Sequence, residues 1–141
     1  MTQSAIWSPE RTVEIIAAHA HREGPLLPIL HDIQGAFGHV PHDAVSIIAG
    51  ALNLSRAEVH GVISFYHDFH AAPAEGRVIK LCRAEACQAR GVEALAAAVE
   101  GRIALEPVYC LGLCASGPAA MIDGRLVARL TAERLIQLAE A

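Results

Sequence analysis

Four cysteines constrain the fold of this chain more than any other feature of its sequence. They form two pairs, Cys82 with Cys87 and Cys110 with Cys114, with four and three residues between the members. Each pair follows a segment that has the pattern of a short strand. Because loops that follow strands can meet at one end of a sheet, the pairing predicts one site built from two loops.

The second half of the chain has the pattern of a small domain with strands and helices. Asp123-Gly124 is typical of a hairpin turn, Gly101 of a helix end and Thr131 of a helix cap. Strands and helices are predicted at residues 77–81, 91–100, 105–109, 119–122, 126–128 and from 132 onward. With the hairpin counted as one unit, the order is β-α-β-β-α. A thioredoxin-like domain whose N-terminal strand and helix are trimmed or displaced has this order, as do other small α+β folds.

The first 70 residues indicate a helical bundle. Ser8, Pro9 and Glu10 are typical of a helix start, and Ser55 with Glu58 forms a capping box. The four predicted helices run from Pro9 to Gly24-Pro25, from about Pro28 to Gly38, from Pro41 to about Leu52, and from Ser55 towards Phe65 and Tyr66.

The segment 71–76 is small and polar and contains Pro73, which is typical of a linker. We therefore expect a helical domain at 1–72 and a second domain, which carries all four cysteines, at 73–141. The helices carry more apolar surface than a free-standing extension needs, so we expect residues 1–72 to dock on a partner as well as on the second domain. The apolar positions concerned include Val13, Ile16, Ile33 and Val45.

Composition and charge argue against several classes of partner. The net charge is -4 and no cluster of Lys or Arg is present, so nothing attracts nucleic acid or an anionic membrane. Residues 1–7 lack the pattern of an export signal, and no apolar run approaches the roughly 18 residues of a membrane span. A cytoplasmic protein is expected. Because the cytosol keeps thiols reduced, its cysteines are more often metal ligands or redox centres than disulfides.

The cysteine pattern suits a 2Fe-2S cluster, which needs four thiolates, two for each iron. Loops of three or four residues between ligands let backbone amides point towards the sulfur atoms. Gly112 and the small residues that follow the second pair permit close approach to a cluster. Those small residues are Ala115, Ser116 and Gly117.

Other uses of the cysteines stay open at this point. Zinc also accepts four thiolates, which would make the chain a zinc-stabilised interaction module. Dithiol chemistry would need a C-x-x-C pair, which the sequence lacks, and four simple buried thiols would not fall into pairs after strands except by coincidence.

The histidines test the mixed-ligand alternatives. All eight precede the linker and all four cysteines follow it, whereas a Cys/His zinc site or a Rieske-type centre needs the two interleaved. His67 and His70, one helical turn apart if helical, lack a third ligand and are expected at a surface or interface. The neighbouring Phe65, Tyr66 and Phe69 are expected in the core.

Nearly the whole chain resembles a known family, the thioredoxin-like 2Fe-2S subunits of NADH dehydrogenase complexes, formate dehydrogenases and hydrogenases. The segments 38–41 (GHVP) and 59–66 (VHGVISFY) are similar to the helical signature of that family. The loop 82–87 and the segment 108–119, with its YCLGLC and GPA sequences, are similar to its two cluster loops. Details at 67–69 and 105–109 are most similar to the gamma subunit of the molybdenum, NAD-dependent formate dehydrogenase.

The resemblance implies an α+β fold with an N-terminal helical bundle and a thioredoxin-like 2Fe-2S ferredoxin domain. It implies a cluster on Cys82, Cys87, Cys110 and Cys114 that exchanges single electrons with a flavin- and NADH-binding partner subunit and, through it, with a catalytic formate dehydrogenase subunit. FMN, NAD and the molybdenum cofactor are then expected on partner subunits only, and this chain has no catalytic residue. The alternative within the family is an E-type subunit of NADH:quinone oxidoreductase or of an NAD-linked hydrogenase.

The sequence departs from the family in one segment and carries charged residues near the predicted ligands. The 22 residues between Cys87 and Cys110 are fewer than the family usually has, which affects a docking surface or a peripheral strand more than the metal site. The charges of Arg83, Glu85 and Arg90 are expected to tune the reduction potential of the cluster, and the alternative is that Arg83 and Arg90 are solvated surface charges.

Overall fold

The computed structural model describes residues 6–141 in two compact units, the first ending at Glu75 and the second running from Gly76 to Ala141. Most of the segment 1–7, for which no export signal is expected, lies outside the described residues. The residues 71–76 contain no helix or strand. None of the helices in the described part of the chain is long and apolar enough to cross a membrane.

The first unit consists of four helices, α1 to α4, which span Pro9–His19, Leu26–Phe37, His42–Leu52 and Arg56–Phe65. The helix starts agree with the local signals: the Ser8 hydroxyl accepts from the Arg11 N–H, and Ser55 and Glu58 form the expected capping box. Gly38 ends α2 in the left-handed conformation with φ 77°, as a glycine cap does.

Helix α1 differs from its prediction in its end and in its buried face. It stops at His19, whose Nε2 lies 2.6 Å from Asp32 Oδ2 of α2, so the expected end at Gly24 and Pro25 is too late. The buried face contains Thr12, Ile15, Ile16 and His19, whereas Val13 is exposed. Thr12 turns inward because its hydroxyl donates to the Ser8 carbonyl and accepts from the Trp7 indole N–H.

The apolar faces of the helices pack against one another and form the core of the helical unit. Ile16, Ile33 and Val45 all lie in its core, together with the fully buried Ile29, Leu30, Ile48 and Val59. The expectation that these faces are left over for docking is therefore wrong for the first three residues and stays a prediction only for Val13. The exposed large apolar side chains in the described part of this unit are Ile6, Val13, Phe65 and Tyr66. Sequence reasoning placed Phe65 and Tyr66 in the core with Phe69, but of these three only Phe69 is buried.

The second unit is a four-stranded sheet with three helices. The strands β1 to β4 span Ile79–Cys82, Leu105–Val108, Ala120–Ile122 and Arg125–Val127, and the helices α5 to α7 span Glu85–Ala89, Val92–Ala98 and Ala132–Glu140. Helix α6 lies within the predicted helical stretch 91–100, whereas α5 lies before it, where no helix was predicted. The predicted mixed fold, helices followed by a thioredoxin-like domain, is confirmed.

The sheet has the strand order β2-β1-β3-β4. Strands β1 and β2 are parallel, with Cys82 opposite Val108, and β1–β3 and β3–β4 are antiparallel. Pro107 is accommodated because β2 is an edge strand, where a missing N–H is tolerated. The hairpin turn at Asp123 and Gly124 has φ of 50° and 78°, the left-handed pair that a tight hairpin requires.

Candidate metal centre

The parallel pairing of β1 and β2 brings both cysteine loops to one edge of the sheet. Cys82 is the last residue of β1, and Cys110 follows the end of β2 at Val108 by two residues. Because parallel strands end at the same edge, the loops that follow them lie side by side. The Arg83 N–H donates to the Val108 carbonyl at 2.8 Å, which ties the two loops together where they leave the sheet.

The other two cysteines lie on short helical turns that follow these strands. Cys87 is in the middle of α5, and Cys114 begins a 3-10 turn over Cys114–Ser116. Cys82 and Cys87 are each 2% exposed, whereas Cys110 and Cys114 are exposed to solvent. The sequence-predicted residues are therefore brought together as one buried pair and one exposed pair, with no disulfide between any of them.

Backbone amides point at the sulfur atoms of both pairs. The Cys110 N–H donates to Cys82 Sγ at 3.3 Å, and the Gly112 N–H donates to Cys110 Sγ at 3.4 Å. This geometry depends on positive φ, 82° at Cys110 and 77° at Gly112, so the glycine allows the close approach that was expected of it. Amide hydrogen bonds stabilise negative charge on thiolate sulfur and so suit a site that holds ligands in the ionised form.

The pKa values of the two thiols in the buried pair are shifted in opposite directions. Burial by itself raises the pKa of the Cys82 thiol, but three backbone N–H groups and the Cys87 thiol outweigh it, and the pKa lies below its usual value. The N–H groups belong to Ala84, Cys110 and Leu111. Burial raises the pKa of Cys87, and its hydrogen bond to Cys82 raises it further. The hydrogen bond with the Cys87 thiol thus favours the ionised form of Cys82.

The exposed pair is also in contact through its two sulfur atoms. The sulfur atoms of Cys110 and Cys114 are 3.6 Å apart, and the hydrogen bond between them raises the pKa of Cys114. Charge on Cys114 also raises the pKa of Cys87, and charge on Cys82 raises that of Cys114, so the two pairs interact. A cationic centre between the four sulfur atoms would relieve this mutual repulsion and displace the remaining protons.

The donor set fits a 2Fe-2S cluster. Such a cluster needs thiolates in two pairs, one pair for each iron, and the chain supplies two interacting pairs on neighbouring loops. Within residues 6–141, no three His, Cys, Asp or Glu side chains form a group that could hold a single ion. A two-iron cluster does not require such a group of three ligands, because each iron takes only two of its ligands from the protein.

Sequence reasoning missed several residues that support the cluster loops. The Gln88 amide donates to the Arg83 carbonyl at 2.7 Å and closes the loop from Cys82 to Cys87. The Arg83 guanidinium binds Glu93 through Nε at 2.7 Å, a contact that raises the pKa of Arg83 and lowers that of Glu93. The charge of Arg83 is thus offset by a neighbour. An acid ten residues away gives no local sequence signal for this pairing.

His67 and His70, which were rejected as metal ligands, belong to the first unit and are not a helical pair. Helix α4 ends at Phe65, so His67 and His70 are not one helical turn apart. His67 is exposed, and the His70 N–H donates to the Gln34 amide oxygen at 2.7 Å. The His70 backbone is thereby fixed to α2 within the helical unit.

Comparison with known proteins decides the family. The family model described as thioredoxin-like 2Fe-2S ferredoxin matches residues 12–141. The chain belongs to this family. Its members carry one 2Fe-2S cluster, so the cofactor expected from the sequence is confirmed, as is the resemblance to the thioredoxin-like 2Fe-2S subunits.

Relatives of established name cover most of the chain. The E-type subunit of NADH-quinone oxidoreductase from Escherichia coli K12 is 33% identical over 136 residues, which cover 85% of this chain and 82% of that protein. The NADP-reducing hydrogenase subunit HndA of Solidesulfovibrio fructosivorans is 27% identical over 132 residues, 84% of this chain and 77% of the relative.

A solved structure contains a similar fold as part of a longer polypeptide. The crystal structure of an NAD+-reducing NiFe hydrogenase in the air-oxidized state superposes with a TM-score of 0.66 and 29% identity, over 82% of this chain. This chain spans 22% of the length of that hydrogenase chain.

Proposed function

We propose that the chain is an electron-transfer subunit that holds one 2Fe-2S cluster on Cys82, Cys87, Cys110 and Cys114. The observation that carries this proposal is the meeting of two interacting thiol pairs at the end of the parallel strands β1 and β2. The cluster supplies one-electron transfer. The chain itself breaks and forms no substrate bonds and is not a catalytic subunit.

The parent complex is best described as an NAD-linked oxidoreductase of the NADH-quinone oxidoreductase or hydrogenase type. The relatives named above are subunits of those two complexes, which favours an E-type subunit over the gamma subunit of formate dehydrogenase. The partner is then a flavin- and NADH-binding subunit. A molybdenum cofactor on a further subunit belongs only to the formate dehydrogenase alternative. A cytoplasmic location, where thiols stay reduced, is part of the same proposal.

The two thiol pairs take different roles in this proposal. Cys82 and Cys87 anchor one side of the cluster in the core, whereas Cys110 and Cys114 present the other side to the surface. Exposure at the second pair gives a partner subunit close access without unfolding of the domain. The N–H groups of Cys110 and Gly112 offset the negative charge on sulfur, which favours the reduced state.

The cluster assignment is tested by anaerobic purification with iron, sulfide and zinc analysis. We expect a reddish-brown protein with about two irons and two sulfides per chain and an EPR signal of one 2Fe-2S cluster after reduction. Stoichiometric zinc without iron would instead establish the zinc-stabilised interaction module.

The ligand set is tested by four single cysteine-to-alanine variants. Each is expected to lose the cluster or to hold it so weakly that the visible absorption disappears on desalting. The matched control replaces His67 and His70 together by alanine and should keep the wild-type spectrum, because both lie in the helical unit. A control spectrum that differs from wild type would contradict the proposed ligands.

The helical unit is proposed to dock on the flavin subunit. Phe65 is 76% and Tyr66 43% exposed, and a groove of about 540 Å3 beside Tyr66 is lined mainly by apolar side chains, among them Leu26, Leu54 and Val62. Replacing Phe65 and Tyr66 together by serine should abolish co-purification with the flavin subunit while iron content stays at the wild-type level. Normal co-purification of that variant would exclude this surface.

A further inference from the structure

Gly117 lies directly against the buried ligand pair, on the far side of the 3-10 turn from Cys114. An added Cβ at Gly117 would lie 3.1 Å from Cys87 Sγ and 3.6 Å from Cys87 Cα. It would also lie 3.1 Å from Cδ of Arg90. Both 3.1 Å distances are shorter than ordinary van der Waals contact, about 3.5–4.0 Å between carbon atoms, so a side chain here requires a neighbour to move.

The backbone of Gly117 does not itself require glycine. Its φ of -65° and ψ of 165° are extended values that alanine adopts without strain. Gly112 and Gly124 present the opposite case, since both have positive φ and neither would bring a Cβ within 4 Å of another atom. Gly117 is therefore required by the space around it, whereas these two are required by their conformation.

Of the two neighbours, the Arg90 side chain can move away from an added Cβ at little cost in free energy, whereas Cys87 cannot. Arg90 is an exposed, flexible side chain, and its Cδ can swing towards solvent. Cys87 is buried in α5, its carbonyl accepts from the Arg90 N–H at 3.1 Å, and its thiol is hydrogen-bonded to Cys82. A Cβ at Gly117 therefore acts on the sulfur position of Cys87.

The geometry points to Gly117 as a positioning residue for the ligand Cys87. The absence of a side chain leaves the space in which Sγ reaches its place beside Cys82. A displacement of a few tenths of an ångström would exceed the roughly 0.2 Å tolerance of metal–ligand distances. This inference rests on the proposed ligand set and adds a residue that does not itself contact the cluster as a ligand.

The test compares Gly117→Ala with Arg90→Ala, with the double variant, and with Gly50→Ala as a control in the full chain. Gly50 lies on α3, has no atom within 4 Å of an added Cβ and belongs to the helical unit. Each protein is loaded anaerobically with ferric iron and sulfide. The readouts are visible circular dichroism, the EPR spectrum of the reduced cluster, the rate of iron release to a chelator, and far-ultraviolet circular dichroism for folding.

Both variants that contain Gly117→Ala are expected to fold, to show shifted visible and EPR spectra, and to release iron about ten times faster than wild type. Arg90→Ala and Gly50→Ala are expected to match wild type in all of these readouts, none of which measures the reduction potential that the charge of Arg90 is expected to tune. A wild-type spectrum for Gly117→Ala would overturn the inference. So would a shift produced by Arg90→Ala alone, because the arginine would then be the neighbour that matters.

Failure of both Gly117 variants to fold would also overturn the inference, because the contact would then serve the core and not the sulfur position. Failure of the proposed function has a different result. A wild-type chain that takes up no iron would overturn the cluster assignment and the inference with it, whereas normal loading of wild type beside an unchanged Gly117→Ala spectrum would overturn the inference alone.

Discussion

Replacing Leu135 by alanine should unfold the cluster-bearing unit at a lower temperature, and replacing Leu30 should not. Both leucines are on helices and both are fully buried, Leu135 on α7 in the core of the second unit and Leu30 on α2 in the core of the first. The two cores share no residue. The pair is therefore a matched test of whether the cluster site depends on its own unit only.

The expected size of the effect follows from the atoms removed. Leucine to alanine deletes three carbon atoms from the core, worth about 0.8 kcal/mol each in transfer free energy. The cavity left behind adds to this, and the total free-energy loss comes to roughly 3–4 kcal/mol. Gly76–Ala141 is 66 residues long, for which an ordinary stability is about 3–10 kcal/mol. One substitution thus removes a large part of the stability of either unit.

The assay follows the visible circular dichroism of the cluster during heating. At about 4–8 °C per kcal/mol for a domain of this size, a loss of roughly 3–4 kcal/mol means that Leu135→Ala should lower the temperature of cluster loss by roughly 12–32 °C. Leu30→Ala should lower the melting of the helical signal in the far ultraviolet and leave the cluster transition within a few degrees of wild type. Equal cluster loss in the two variants would refute the separation of the cores.

Three further outcomes are expected. Ser55→Ala should destabilise the helical unit by about 1 kcal/mol through loss of an N-cap, measured by thermal denaturation. The Ser55 backbone N–H lowers the pKa of Glu58, so the contribution of this carboxylate is present above its unfolded pKa and is lost as the pH falls through the lower folded value. The difference in melting temperature between wild type and Glu58→Gln should accordingly be present at neutral pH and disappear in acid. A chain shortened to Pro73–Ala141 should retain the cluster spectrum but fail to co-purify with the flavin subunit; normal assembly of that chain would exclude a docking role for the helices.

Local signals predicted the helix starts and the hairpin well because each depends on a few neighbouring residues. Ser8 and Ser55 cap their helices through hydrogen bonds within four residues, and Asp123-Gly124 needs only a left-handed pair of φ angles. The end of α1 is different in kind. His19 is bound to Asp32 across 13 residues, and no local residue type signals a stop before Gly24. Contacts that are distant in the sequence decide such boundaries.

The short helix α5 escaped prediction for a related reason. Five residues are too few to show helical periodicity, and a helix of that length is unstable in isolation. The stability of α5 comes from its surroundings. Its residue Gln88 donates to the Arg83 carbonyl, and its residue Cys87 is buried in the core. Gly91, with φ 87°, separates α5 from α6. Gln88 and the ligand Cys87 thus lie on a helix that depends on contacts at the site itself.

The site itself shows how far spacing can take a prediction. Spacing identified the four cysteines and the two loops, because a C-x4-C and a C-x3-C pair after strands is a pattern in the chain. It could not separate Gly117 from Ala115 and Ser116, since all three are small residues after Cys114. The structure separates them by burial: Ala115 is exposed and Ser116 is half-buried, whereas Gly117 is buried and an added Cβ there would lie 3.1 Å from Cys87 Sγ. Cys87 is thirty residues earlier in the sequence, so the requirement for glycine arises only when the strands pair and bring α5 to the 3-10 turn.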